Sequence, residues 1–177
     1  MPMQLAVCSP YAAFHGYWDE KVAGRLSLEL SRLARECAGV EIPNSRDNKR
    51  YFWEDIPSRE YLYVWCVVWD HMGADARESI DSNGVFLYEY DAPPISTRMS
   101  DYWYDSDVVF RSTRRFLAAL PTARAVCLQY LTLDGDHRQY SVALDGTPID
   151  LDGYFAMLEE AAKTSERLRL PMFFIPD

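Results

Sequence analysis

Residues Glu60–Asp70 read EYLYVWCVVWD, an unbroken apolar and aromatic run from Tyr61 to Trp69 closed by charge at both ends. The run falls far short of the ~20 residues that a membrane-crossing helix needs. Its content of Val, Tyr and Trp favours a strand over a helix. A strand that is apolar on both sides must be covered on both faces, so the stretch is expected in the middle of a sheet.

Upstream, Gln4–Cys8 is a short apolar strand stopped by Ser9-Pro10, and Phe14–Trp18 is an aromatic lead-in around His15 and Gly16. From Asp19 to Ala38, Val22, Leu26, Leu30, Leu33 and Cys37 recur at helical spacing, with charges opposite them and Gly39 as the stop. Glu41–Arg59 carries Pro43, Asn44, Asn48 and Pro57 and reads as a long loop with Phe52-Trp53 tucked back. Downstream, Ala74–Ile80 is a short helical piece, and Gly84–Tyr90 alternates as a strand antiparallel to the central one. Pro93-Pro94 interrupts any ladder there.

Asp105-Ser106-Asp107 reads as a helix start, with Asp105 or Ser106 as cap. That helix is expected to bury Val109, Thr113, Phe116, Leu117 and Leu120 and to close at Pro121. Ala123–Leu133 and Gln139–Leu144 flank the turn-rich Asp134–Arg138 as a β-hairpin, with a second turn at Asp145-Gly146. A helix capped by Asp150 or Asp152 runs to Leu168, and Met172–Ile175 is the last strand. The expected order is β-α-β-β-α-β-β-α-β. It defines an α+β fold, one globular domain over residues 1–177, with a mixed, mainly antiparallel sheet and helices packed on it.

Half the residues are apolar, and five Trp, twelve Tyr and eight Phe argue against disorder. The N-terminus lacks the basic segment of a signal peptide, and no stretch is long enough to span a membrane, so the cytoplasm is the expected compartment. Cys8, Cys37, Cys66 and Cys127 form no C-x-x-C pair and read as free thiols, consistent with a reducing compartment.

The net charge of −9 is unevenly placed. Asp70–Asp107 holds nine acids against Arg77 and Arg98, and Asp134–Glu160 holds seven against Arg138. Val108–Leu133 holds four arginines and no acid. A field of this sign repels nucleic-acid phosphates and excludes direct nucleic-acid binding.

Motifs for nucleotide binding (G-x-G-x-x-G, G-K-[ST]), zinc proteolysis (H-E-x-x-H) and serine hydrolysis (G-x-S-x-G) are all missing from the sequence. No cofactor is implied. Three constellations are left. Asp134, Asp136 and His137, with Asp150 and Asp152, are donors that can hold a divalent metal and activate water, as in a small metal-dependent hydrolase. The same residues suit an exposed turn and helix caps. Asp70-His71 is a second site of that kind, or a strand end entering a turn. Arg111, Arg114 and Arg115 can receive a phosphate or carboxylate, or instead offset Glu89, Asp91, Asp101 and Asp105.

The third constellation is Phe86–Asp107, where aromatic and acidic residues interleave. Three consecutive large aromatics, Tyr102-Trp103-Tyr104, cannot all point inward from an extended segment. Glu89, Asp91, Asp101, Tyr102, Trp103, Tyr104, Asp105 and Asp107 are therefore the expected partner-binding residues. They would combine aromatic contact area with acids that steer a basic protein. An acidic nucleic-acid mimic is the alternative use of the same charge.

The two acidic blocks and the aromatic set around Tyr102-Trp103-Tyr104 give the chain the character of the bacterial immunity proteins of contact-dependent inhibition and related polymorphic toxin systems, which it resembles. The resemblance is one of general character over the whole chain, without a shared signature. It implies a cytoplasmic, non-enzymatic inhibitor that binds one cognate toxin domain, often a basic nuclease, and masks its active site or nucleic-acid surface.

Overall fold

A computed structural model of the chain describes residues 3–99, 107–131 and 149–176. Its elements are β1 (Met3–Cys8), α1 (Pro10–His15), α2 (Glu20–Leu33), β2 (Arg50–Ile56), α3 (Ser58–His71) and α4 (Ala74–Ile80). They continue with β3 (Val85–Leu87), β4 (Ile95–Arg98), β5 (Asp107–Ser112), α5 (Thr113–Leu131), α6 (Leu151–Leu168) and β6 (Met172–Pro176). The strands form one sheet in the order β2-β1-β6-β3-β5-β4. Every neighbouring pair is antiparallel except β3 with β5. The fold is α+β with a mixed, mainly antiparallel sheet.

Strand alternation divides the core. Leu5, Val7, Phe86, Met172 and Phe174 face α3, α5 and α6, whose Val67, Phe116, Cys127 and Leu158 are buried with them. Ala6, Cys8, Val85, Leu87, Phe110, Phe173 and Ile175 face the opposite way, toward α1 and α2. The sheet is thus covered by helices on both faces. None of the described helices is long and apolar enough to cross a membrane.

The reading of Glu60–Asp70 as the central strand is overturned, because these residues lie in α3. Tyr63, Val64, Val67 and Val68 are buried, while Leu62 and Trp69 are exposed. That is one face of a helix, with spacing of one, three and four residues, rather than the alternation of a strand. Pro57 immediately before the first turn and Glu60 within it are ordinary helix-start signals. The β preference of Val and Trp yields because it describes fit to a half-buried pleated surface, and here the available surface is already a finished sheet.

The remaining corrections follow from the same competition. A strand, β2, lies within the expected loop Glu41–Arg59, and Trp53 packs on the core as read. Residues Asp107–Ser112 are strand β5 rather than a first helical turn, with Val108 and Phe110 buried on either side of half-buried Val109. The helix begins at Thr113 and runs through Pro121 to Leu131. An interior proline costs ~3 kcal/mol, but Phe116, Leu120, Ala123 and Cys127 keep one buried stripe on both sides of it. Ala123–Leu131 is therefore helical, not the first arm of a hairpin, and the rest of that expected hairpin lies outside the described residues. β4 was not anticipated. β3 pairs with β5 and β6, not with the 60–70 stretch.

Other expectations hold. α4 spans Ala74–Ile80 as read, and α6 runs Leu151–Leu168 with the Asp150 carboxylate accepting from the Gly153 N–H at 2.8 Å. α2 continues through a π-helical turn, Ala34–Ala38, to Gly39, whose left-handed φ of 68° ends it.

Gly84 enters β3 at φ 143°, and a Cβ there would sit 2.4 Å from the Val109 carbonyl oxygen of β5. Neither the conformation nor the contact admits a side chain. Gly84→Ala is expected to cost about 2 kcal/mol or more in urea unfolding. An unchanged midpoint would show that the β3–β5 junction is looser than this contact implies.

Candidate protein-binding face

α3 has two sides. Its inner side is fastened at three places. The Glu60 carboxylate accepts from the Asp150 N–H at 3.1 Å, the Tyr63 hydroxyl donates to the Cys127 carbonyl at 2.9 Å, and His71 stacks on Tyr130 at 3.8 Å. Its outer side carries Leu62, Trp65, Cys66 and Trp69 at helical spacing, with Leu62 46% and Trp69 53% exposed. Trp65 and Trp69, one turn apart, stack with ring centroids 5.2 Å apart. From α4, the Arg77 guanidinium lies 4.9 Å from the Trp69 ring centroid and donates to the Trp69 carbonyl at 2.8 Å. The exposed Trp69 ring is thereby held in one orientation against half-buried Trp65, and exposed Asp70, Asp75 and Glu78 lie on the same two helices.

Beside Trp69 a groove of about 380 Å³ runs between α4 and the Pro93-Pro94 turn. Arg111 contributes to its lining and is tied in place. Its Nε donates to the Asn83 carbonyl at 2.7 Å, its Nη2 to the Asp81 carboxylate at 2.7 Å, and its Nη1 to the Glu78 carbonyl. Burial pushes the guanidinium below its ordinary value, and Asp81 and Glu78 oppose that shift. With its donors engaged at only 6% exposure, Arg111 joins α4 to β5 rather than waiting for an anion. Under the Trp pair, a cleft lined by Tyr61, Phe116, Tyr154 and Phe155 has about 30 Å³ of free volume.

Of the expected partner-binding residues, the three described ones, Glu89, Asp91 and Asp107, do not form one cluster. Glu89 follows β3 with φ 58° and pairs with Arg169 at 2.5 Å, and Asp91 pairs with Arg115 at 3.3 Å. Asp107 sits at the opposite end of the sheet, opposite Arg98 of β4, and accepts from the Ser96 hydroxyl at 3.4 Å. Tyr88 and Tyr90 are core residues whose hydroxyls donate to the carbonyls of Glu41 and Pro93. Burial raises both phenols, and Glu89 adds to the effect at Tyr88. Asp101, Tyr102, Trp103, Tyr104 and Asp105 lie outside the described residues, as do Asp134, Asp136 and His137.

Asp150 is the α6 cap, and Asp152 pairs with Arg124 at 2.5 Å. Among the described residues no group of three or more His, Cys, Asp or Glu is placed to hold a metal. Arg111 lies in β5 and Arg115 in α5, so they do not share a helix face, and each offsets an acid instead. The exposure of Trp69 was missed because a strand reading puts it and Trp65 on one buried side. Their i, i+4 spacing was the available signal. Comparison of the chain with protein-family models, with curated proteins and with solved structures finds no match.

Arg111→Met would leave Asp81 and two carbonyls without their donor and is expected to cost about 3 kcal/mol in chemical unfolding. A cost below that of an ordinary surface substitution would show that the tie is dispensable. The four cysteines are free, with Cys8 and Cys127 buried and Cys37 and Cys66 partly exposed. Burial pushes the Cys8 and Cys127 thiols from 9.0 up to about 12. A thiol probe near pH 8 should label Cys37 and Cys66 in the native protein, and the buried pair only after unfolding. Because the folded values lie above the unfolded ones, this contribution to stability is complete below pH 9.0 and is lost as pH rises through about 12. Equal labelling of all four thiols in the native protein would contradict the burial.

Proposed function

We propose that this chain is a protein-binding inhibitor of the immunity type, which captures a basic toxin domain and covers its working surface. The observation that carries the reading is the Trp69 ring, exposed on a helix fastened to the core, stacked on half-buried Trp65 and accompanied by Asp70, Asp75 and Glu78. Aromatic anchors on a rigid element supply contact area at small entropic cost, as interface hot spots do. Acids around them attract a basic partner and speed its capture, and the net charge of −9 adds a long-range pull of the same sign. A basic surface that binds nucleic acid is one such partner, and an acidic cover competes for it directly.

This reading keeps the partner chemistry expected from the acidic blocks and centres the contact on α3 and α4. The test is growth rescue together with binding, using a toxic domain encoded next to this chain's reading frame. Trp69→Ala is expected to weaken binding by about 2 kcal/mol. Replacing Asp70, Asp75 and Glu78 with Lys should slow association about tenfold at low salt, with little effect at high salt. Replacing Asp101, Asp105 and Asp107 with Lys tests the face centred on residues 101–107. If only that variant fails, the contact lies there, and if every variant rescues growth and binds as the parent does, the proposal is wrong.

A further inference from the structure

The two edges of the sheet are built differently. β4 is four residues long and follows Pro93-Pro94, which blunts it against further pairing. β2 is seven residues long, contains no proline and, among the described residues, pairs with a strand on one side only. Charged residues guard such edges when like charges meet in any added strand. Here the signs are segregated. Residues 49–55 read Lys-Arg-Tyr-Phe-Trp-Glu-Asp, basic at one end, acidic at the other, and aromatic between.

We propose that β2 is a self-complementary docking edge whose partner is a second copy of this chain, added antiparallel about a two-fold axis at Phe52. That register sets Lys49 opposite Asp55 and Arg50 opposite Glu54, each twice by symmetry, with Tyr51 opposite Trp53. Opposite-sign pairs across an antiparallel ladder are favourable, and like pairs are not. Parallel addition in register would set each charge against itself, so the sequence selects the antiparallel arrangement. A two-fold axis makes one surface serve both partners and closes the assembly at two.

The local structure leaves the edge usable. Lys49, Arg50, Glu54 and Asp55 are all exposed. Arg50 rests over the Trp53 ring at 3.5 Å and Lys49 over Tyr51 at 4.7 Å, so each base is held beside an aromatic ring of the same segment. The pairing with β1 shifts between Val7 and Cys8, leaving Tyr51 as a bulge. Attraction between charges needs proximity rather than facing side chains, so the match of signs survives that bulge. Tyr51 is 43% exposed, and the turn bearing Tyr17 (43%) and Trp18 (42%) reaches this edge, since Gly16 lies against Arg50. Exposed aromatic area therefore accompanies the hydrogen-bonding edge.

The test is sedimentation equilibrium of the full chain, with circular dichroism as the check that each variant keeps its fold. The parent is expected to move from 20.5 kDa toward twice that mass with rising concentration. Lys49→Glu with Arg50→Glu makes both ends acidic, and Glu54→Lys with Asp55→Lys makes both ends basic. Each variant alone should self-associate at least about tenfold more weakly than the parent. An equimolar mixture of the two restores all four opposite-sign pairs and should dimerise at least as well as the parent. Phe52→Cys, on the axis, should cross-link to its own copy on oxidation, whereas Glu54→Cys should not. A parent that stays monomeric, variants that associate as the parent does, a mixture that does not recombine, or cross-linking at 54 in place of 52 would each overturn the proposal.

Discussion

Covering both faces of the strands at the centre of the sheet is the constraint from which the rest of the architecture follows. β6 and β1 alternate between Met172, Phe174, Leu5 and Val7 on one side and Phe173, Ile175, Ala6 and Cys8 on the other, and all are buried. Hydrophobic burial contributes roughly 25 cal/mol per Å² of apolar surface removed from water. Neither side of such strands can stay wet, so helices are recruited to both. α1 and α2 serve one face, and α3, α5 and α6 serve the other.

α3 shows how the requirement yields a surface as well as a core. Its inner side is committed to packing and is held by Glu60, Tyr63 and His71. The apolar run is longer than one helix face can bury, so Leu62 and Trp69 are left outside and Trp65 is only half-buried. Rings exposed on a rigid helix lose little entropy when a partner covers them, which distinguishes them from the same residues on a loose segment.

The charge distribution is resolved by pairing rather than by uniform repulsion. Asp81, Glu89, Asp91 and Asp152 each meet an arginine from a distant part of the chain. Of these pairs only Arg111–Asp81 is substantially buried, and it supports structure. The exposed ones contribute little each. Asp70, Asp75 and Glu78, all exposed, lie on the same two helices as the aromatic ridge.

Several features were legible in the sequence because the signal was local. The α2 stripe ending at Gly39, the bounds of α4, the Asp150 cap of α6 and the last strand all depend on spacing within a few residues. So did the α+β class and the mainly antiparallel sheet. What failed depended on partners distant in the chain. A run of Val, Tyr and Trp at 61–69 suits a strand or a buried helix equally, and only the existence of a complete sheet beneath it selects the helix. Val108-Val109-Phe110 became a strand because β3 and β4 lie on either side of it, and Pro121 was tolerated because the buried stripe continues beyond it. Residue order and composition set how much apolar surface had to be buried and how the charge was divided along the chain. The tertiary structure alone decided which faces were spent on that burial and which aromatic rings and acids remained outside, because burial is settled by contacts between residues far apart in the chain.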